Sequence, residues 1–290
     1  MTRVKILVAA FSATLGAACF AQVVEERLAD DVVRFHADAT AQSNAVPSLA
    51  LQQPLPSLGG APAGFGVMPT FSTVTGNPAV EVDFADGTDF YGTGMASGGL
   101  RRNGRFTSQW TYDAYGYADY SEELYNAHPW VLAVRQDGSA VGLLADTTYR
   151  CDIDLSGDNG TTARFVGYGP STPLIVIEKG SPQDVLMALG ELTGTMPMPA
   201  LWTLGYHQSR YSYFTDAEVL SVANEFRTRQ IPLDSIWIDI DYKDSFRAFT
   251  FNPAAFPDPA QLVDDLDAIN VNLTAILDAH THRLPGFTPY

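Results

Sequence analysis

Two carboxylates close a short run in which residue character alternates. In Ser235-Ile236-Trp237-Ile238-Asp239-Ile240-Asp241-Tyr242, the three isoleucines share one side of an extended chain, and Trp237, Asp239 and Asp241 share the other. A face of isoleucines calls for a helical layer. A face that begins with tryptophan and ends with two acids calls for a cavity that becomes wet at the C-terminal end of the strand. That is how a strand of a (β/α) barrel carries chemistry. Residues 272–279 repeat the pattern, with Leu273, Ala275 and Leu277 on the helix-facing side and Thr274, Ile276, Asp278 and His280 on the other. Asp239 and Asp278 are therefore predicted at equivalent places at the mouths of neighbouring parallel strands. Acids so placed suit a hydroxylated substrate, because a carboxylate accepts two hydroxyl donors at once through charge-assisted bonds. Asp234, Asp241 and Asp278 also have a structural reading as strand-end acids, and His207 reads as a hydrogen-bonded core histidine. His280-Thr281-His282 offers a second chemistry, since a His-x-His pair at a barrel strand end is one way metal-dependent hydrolases hold zinc. It would need further ligands from later strands, and His36 and His128 lie in other regions, so no metal and no cofactor is expected.

The elements that must position these residues emerge from periodicity and punctuation. Residues 201–207 read as a strand. Thr215-Asp216-Ala217-Glu218 reads as a capping box opening a helix with Val219, Val222, Ala223 and Phe226 inward. The opening strand comes next, then a loop over residues 242–257. Asp258-Pro259 starts a second helix with Leu262, Leu266 and Ile269 on one stripe, and a third strand comes after it. Upstream the pattern is β. Residues 80–84 alternate, residues 130–144 read as a hairpin turning at Asp137-Gly138, and strands are predicted near 149–155, 162–168 and 174–178. Many short strands joined by Gly and Asp turns indicate an antiparallel sandwich. Ser181-Pro182 starts a helix that ends at Gly194, with Val185, Leu186, Leu189 and Leu192 as its apolar stripe. Met196-Pro197-Met198-Pro199 marks a domain boundary. Residues 22–75 are poorly patterned and read as an irregular N-terminal segment or linker: residues 22–41 could form a helix or a strand of mixed charge, and residues 45–70 are rich in Pro, Gly, Ala and Ser.

The 290 residues include 46% hydrophobic side chains, enough for a real core. A net charge of −16 repels phosphate backbones, which argues against nucleic acid as a partner and otherwise serves solubility. Residues 1–21 read as a secretory signal peptide. Arg3 and Lys5 precede an apolar run, and Cys19-Phe20-Ala21 places small residues before a cleavage point at Gln22. The run is too short to span a membrane. Export to the periplasm or beyond is expected, leaving Cys151 with no disulfide partner.

An ordered set of motifs carries a family resemblance. Residues 204–210 (Leu-Gly-Tyr-His-Gln-Ser-Arg), Ile231-Pro232-Leu233-Asp234, residues 237–242, Phe249-Thr250-Phe251-Asn252 and Phe256-Pro257-Asp258-Pro259 occur in order at close spacing. Upstream stand Tyr91-Gly92-Thr93-Gly94, Leu100-Arg101-Arg102-Asn103-Gly104-Arg105, residues 110–117 (Trp-Thr-Tyr-Asp-Ala-Tyr-Gly-Tyr) and residues 144–150. Together they resemble glycoside hydrolase family 31, the α-glucosidase and α-xylosidase group. The resemblance implies a galactose-mutarotase-like β-sandwich over residues 76–195, then the first three β/α units of an incomplete (β/α)8 TIM barrel over residues 196–290. It implies an α-linked oligosaccharide or glycoside as substrate. It also implies a retaining mechanism with two aspartates on the fourth and sixth barrel strands. The chain stops at Tyr290, past the third strand, so no residue here is assigned as catalyst. The 290 residues alone are expected to lack glucosidase activity, and a non-catalytic sugar-binding remnant is the rival reading. What the resemblance assigns is substrate binding: Asp239 to sugar hydroxyls, Ile240 beside it, and Asp113 on a sandwich loop. The sequence departs from the family at Met95, where Glu is usual, and at residues 278–282, where the third strand ends differently.

Overall fold

The computed structural model describes residues 22–46, 48, 57–119, 121, 124–157, 160–278 and 282–288. The predicted signal peptide lies outside the described residues. The chain divides into two compact units between Thr195 and Met196.

The first unit is built from two antiparallel sheets. One has six strands in the order β1-β2-β11-β8-β7-β5, the other five in the order β3-β4-β10-β9-β6. The six-stranded sheet comprises β1 (Val24–Ala29), β2 (Val32–His36), β5 (Asp89–Gly92), β7 (Trp130–Val134), β8 (Ala140–Ala145) and β11 (Leu174–Lys179). Alternation sorts its side chains into two cores. Val33, Phe35, Phe90, Val131, Leu143, Leu174 and Val176 point inward and meet Val80, Val82, Ile153 and Phe165 of the other sheet. That partner sheet comprises β3 (Thr70–Val74), β4 (Asn77–Asp83), β6 (Phe106–Gln109), β9 (Cys151–Asp154) and β10 (Thr162–Gly167). Val32, Trp130, Leu144, Ile175 and Ile177 face outward, where Val185 and Ala188 of α2 (Pro182–Thr193) cover them. Both faces of β8 are therefore buried, and all six of its residues are inaccessible. Ser181 caps α2 by accepting from Asp184 N, and Gly194 ends it at φ 79°. Leu186, expected on the apolar stripe, is 50% exposed, because the stripe runs through Val185, Ala188, Leu189 and Leu192 instead. Cys151 is fully buried, and burial pushes its thiol pKa up.

The expectation of an irregular segment over residues 22–75 holds for the described residues 57–69 and is corrected at its two ends. β1 and β2 form a hairpin at one edge of the larger sheet, and α1 (Ala39–Ser43) comes after it, capped by Asp38. The mixed charge that obscured this hairpin is a buried network. Glu26 Oε2 accepts from Arg34 Nε at 2.7 Å and lies 3.1 Å from His36 Nε2, while Arg34 Nη1 donates to Asp146 Oδ2 at 3.0 Å. Desolvation alone would raise the Glu26 pKa. Hydrogen bonds from His36, Arg34 and Gln42 outweigh it and hold that carboxyl below its usual range. β3 also departs from the expectation. It pairs with β4 through a two-residue turn, Thr75-Gly76, with φ of 49° and 86°. Positive φ at both positions is the twist a type I′ hairpin needs.

The second unit holds β12 (His207–Gln208), β13 (Ser235–Ile238) and β14 (Asn272–Ala275), all parallel and in that order. Helices α3 (Asp216–Thr228) and α4 (Pro259–Asp267) make the two crossovers. Ile236 and Ile238 are fully buried and pack with Val219 and Ala223 of α3 and Leu262 and Leu266 of α4. The strand predicted over residues 201–207 is corrected: Leu201–Leu204 is a 3₁₀ turn, and pairing starts only at His207. The capping box is half realised. Thr215 Oγ1 accepts from Glu218 N, but Glu218 Oε2 reaches past Thr215 to Phe214 N at 2.8 Å. Asp258 caps α4 as predicted, accepting from Gln261 N. Arg227 ties the end of α3 to the starts of β13 and β14, donating to the carbonyls of Leu233, Ile269 and Asn270 at 2.8–2.9 Å.

Gly142 shows how little room the first unit leaves. A Cβ there would overlap the Trp130 ring at Cη2 and lie 2.8 Å from Val185 Cγ1. Gly142→Ala is expected to destabilise this unit by about 1–3 kcal/mol through overpacking, read as a lower urea midpoint with an unchanged slope.

Candidate active-site wall

Asp239 is positioned by the end of β13. Pairing stops at Ile238, and Asp239 becomes the N-cap of a 3₁₀ turn, Ile240–Tyr242, its Oδ1 accepting from Ile240 N at 2.7 Å. The expected strand over residues 235–241 is thus three residues shorter. The early stop turns Asp239 out of the ladder while keeping it on the side of Trp237, opposite the buried isoleucines. A cavity of about 450 Å³ opens there, lined by His207, Ser209, Arg210, Trp237, Ile238, Asp239 and Ile276. Oδ2 of Asp239 makes no hydrogen bond or ion pair with the described residues. Neither nearby cation neutralises it. Arg210 pairs with Glu218 and stacks over Tyr213, and Lys243 lies 3.6 Å from Asp278 Oδ2. A half-buried carboxylate with an open acceptor, next to an aromatic face, is what binds a sugar: hydroxyls donate to the oxygen while the C–H face rests on the ring.

His207 and Trp237 form one rigid piece of this wall. Trp237 Nε1 donates to His207 Nδ1 at 3.1 Å, and His207 Nε2 lies 3.2 Å from Trp202 O. An indole N–H only donates, so Nδ1 is the acceptor, and the ring carries its proton on Nε2, directed at the carbonyl. The ring also stacks on Trp202 at 5.7 Å. The core histidine of the sequence reading is hydrogen-bonded at both nitrogens, and it faces the cavity as well. The polar faces of adjacent strands carried the signal for this pair, once the register of β12 against β13 is known.

The remaining site residues fall differently. Ile240 is half-buried on the 3₁₀ turn and does not line this cavity. Asp113 belongs to the first unit, where it is exposed and its Oδ1 accepts from Tyr125 Oη at 2.8 Å. That bond holds the Tyr125 phenol above its ordinary pKa. Around Asp113 stand exposed aromatics, among them Trp110, Tyr112, Tyr115 and Tyr117. Asp241 has a structural role, accepting from Ser212 Oγ at 2.6 Å, as does Asp234, whose Oδ2 accepts from Tyr206 N.

The predicted equivalence of Asp239 and Asp278 is corrected. Ile238 is opposite Ala275, so the residue beside Asp239 is Ile276, and Asp278 lies two positions further on at φ 43°. The turn after β13 holds this extension in place. Tyr242 Oη donates to Ile276 O at 3.0 Å and Lys243 Nζ to Leu277 O at 2.9 Å. His280 lies outside the described residues. His282 is exposed, 3.3 Å from Ser245 O through Nδ1, and no cluster of three metal-ligating side chains occurs among the described residues.

The first unit is a β-sandwich, the second a run of parallel β/α units with an acid and an indole at one strand's C-terminal end, and similarity to known proteins places both in one family. Residues 66–154 match the glycosyl hydrolase 31 N-terminal galactose mutarotase-like domain, and residues 196–290 match the glycosyl hydrolases family 31 TIM-barrel domain. Alpha-glucosidase 2 of Bacillus thermoamyloliquefaciens is 37% identical over 202 residues, covering 69% of this chain and 25% of that protein. Neutral alpha-glucosidase AB of Mus musculus is 37% identical over 140 residues, 48% of this chain and 14% of that protein. The crystal structure of a family 31 alpha-glucosidase from Bacteroides thetaiotaomicron superposes with a TM-score of 0.68 at 37% identity, over 76% of this chain and 37% of that one. The chain belongs to glycoside hydrolase family 31. It spans about a quarter of the length of the Bacillus relative and corresponds to an N-terminal portion.

Tyr242 provides a test of the wall's construction. Burial, and then the charge of Asp278, raise its phenol pKa above 10.0. A phenol that holds its proton longer when folded contributes stability below pH 10, and that stability is lost as pH rises from there towards the folded value. Tyr242→Phe should flatten that alkaline loss. It should also cost about 1 kcal/mol at neutral pH by leaving the Ile276 carbonyl without its donor. Urea unfolding at pH 7 and pH 10.5 reads both effects.

Proposed function

We propose that this chain supplies the substrate-binding wall of an α-glucosidase-type glycoside hydrolase, one that cleaves O-glycosidic bonds of α-linked oligosaccharides or glycosides. The observation that carries the reading is the carboxylate of Asp239, held by the 3₁₀ cap at one oxygen and open at the other, on a cavity walled by Trp237 and His207. In this reading Asp239 accepts from the hydroxyls of the non-reducing sugar, and the Trp237 face carries its apolar side. Ile276 and Arg210 close the wall on either side. Ile240, next to Asp239, and Asp113, on a loop of the first unit, belong to the same proposal as sugar-binding residues. The residues described here bind sugar and carry no assigned nucleophile or acid/base. The two relatives above are named as alpha-glucosidases, which supports α-glucosides as the substrate class. Export through residues 1–21 belongs to the same proposal. Among the described residues no helix is long and apolar enough to cross a membrane.

Titration of the full 290-residue chain with maltose, followed calorimetrically, tests the reading. Asp239→Asn keeps an acceptor for Ile240 N and so spares the fold. It loses the charge that strengthens hydroxyl bonds, so affinity should fall about tenfold or more, equivalent to roughly 1.5–3 kcal/mol. Asp265→Asn, on the exposed side of α4, should bind as the parent does. Equal affinity in Asp239→Asn and the parent, or no saturable binding by a folded parent, would sink the assignment.

A further inference from the structure

The first unit carries a second cavity of opposite electrical character. It measures about 340 Å³ and is lined by Ser97, Arg102, Arg105, Phe106, Ser121 and Ser156. Arg102 is 5% exposed, and its hydrogen bonds all go to neutral groups. Its Nε donates to Thr93 Oγ1 at 3.0 Å, and its Nη1 donates to the carbonyls of Ser97 and Gly99 at 3.0 and 3.2 Å. Its Nη2 makes no hydrogen bond with the described residues. Arg105 is exposed and makes no side-chain hydrogen bond or ion pair with them either. The two guanidinium groups stand close together, each within 4 Å of where a Cβ on Gly98 would lie.

Such a pair is expensive. A buried guanidinium without a counter-charge carries an uncompensated desolvation cost, and a second cation beside it adds repulsion. Desolvation, and then Arg105, depress the Arg102 pKa. Asp119 and Asp154, the described acids nearest in sequence to Ser121 and Ser156, pair with neither guanidinium. Asp154 Oδ1 accepts from Ser156 N and Oγ, and its Oδ2 faces Arg164 Nη1 at 3.8 Å. Arg101, the neighbour in sequence, does have an acid, Asp89 at 2.6 Å. The contrast matters in a chain of net charge −16, where carboxylates outnumber cations by 33 to 17. An arginine pair that meets no acid among the described residues is a site for an acid from outside.

We propose that this cavity is an anion-binding site for a tetrahedral oxyanion of the phosphate or sulfate class, separate from the sugar-binding wall of the second unit. Two guanidinium groups and serine hydroxyls around one cavity offer more donors than a single planar carboxylate takes up, which suits the four oxygens of a tetrahedral ion. Ser121 Oγ accepts from Ala118 N at 3.0 Å, which leaves its own proton to donate. The oxyanion is either a free inorganic ion or a sulfate or phosphate ester on a polysaccharide chain. The remaining negative charge of the protein opposes its approach within a Debye length, about 10 Å at 0.1 M salt, and salt also screens the attraction of the two guanidinium groups, so binding is expected in the millimolar range and to weaken as salt rises.

The test is thermal unfolding of the full chain in sodium phosphate or sodium sulfate, against sodium chloride at equal ionic strength. A saturable rise in Tm with either oxyanion is expected. Arg105→Gln removes an exposed cation without disturbing the core and should abolish the rise. Arg101→Gln, outside the cavity, should keep it. Retention on dextran sulfate but not on dextran, lost in Arg105→Gln, would assign the site to a polymer-borne ester. A phosphate-dependent rise without such retention assigns it to the free ion. No oxyanion effect beyond chloride in either assay, or an equal effect in Arg105→Gln, overturns the proposal.

Discussion

The second unit depends on the burial of Ile236 and Ile238 between α3 and α4. In a strand the side-chain period is two, so fixing two isoleucines on the helical side fixes Trp237 on the other. The same contact sets register: Ile236 opposite Leu273, Ile238 opposite Ala275 and His207 opposite Ser235. A slip of one residue would exchange the faces and put an indole and a carboxylate against the helices. The hydrophobic contact and the polar wall are therefore one decision. Neither Asp239 nor Trp237 needs its own device to face the cavity. Asp239 needs only the strand to stop, and the 3₁₀ turn that it caps does that.

The order of elements was legible because most of them announce themselves by period and cap. Ser181-Pro182 and Asp258-Pro259 mark helix starts, Asp137-Gly138 marks a hairpin, and Ile-Trp-Ile marks a strand buried on one side. The β1–β2 hairpin was not legible, because Arg34 and His36 sit where alternation would lead one to expect solvent. They are instead satisfied by Glu26 and Asp146, and Asp146 lies more than a hundred residues away. A charge network of that range has no local signature. The strand predicted over residues 201–207 failed for the opposite reason. Leu201 and Leu204 are apolar by type yet exposed, and the 3₁₀ turn leaves pairing to His207 and Gln208 alone.

The site shows the same division. Asp239 could be picked from alternation and from its motif, since both depend on sequence neighbours. The apparent match of Asp278 to Asp239 came from counting along each strand separately. Register between strands decides it, and Ile276 takes the place. The bond from Trp237 to His207 also needs register, because the partners are thirty residues apart on adjacent strands. Alternation says which face a residue is on; only the packed helices say what stands next to it.

Ladder pairing of β14 ends at Ala275, yet the wall residue Ile276 and the two residues after it are held by Tyr242 and Lys243, side chains of the preceding strand's turn. Each strand end in this unit is thus partly moulded by its predecessor. An insertion or deletion after β13 would be felt one strand later, at a loop whose own sequence had not changed. Variation in the pocket rim is then inherited in linked steps along the chain, and loops exchanged between relatives should be moved with the turn that grips them.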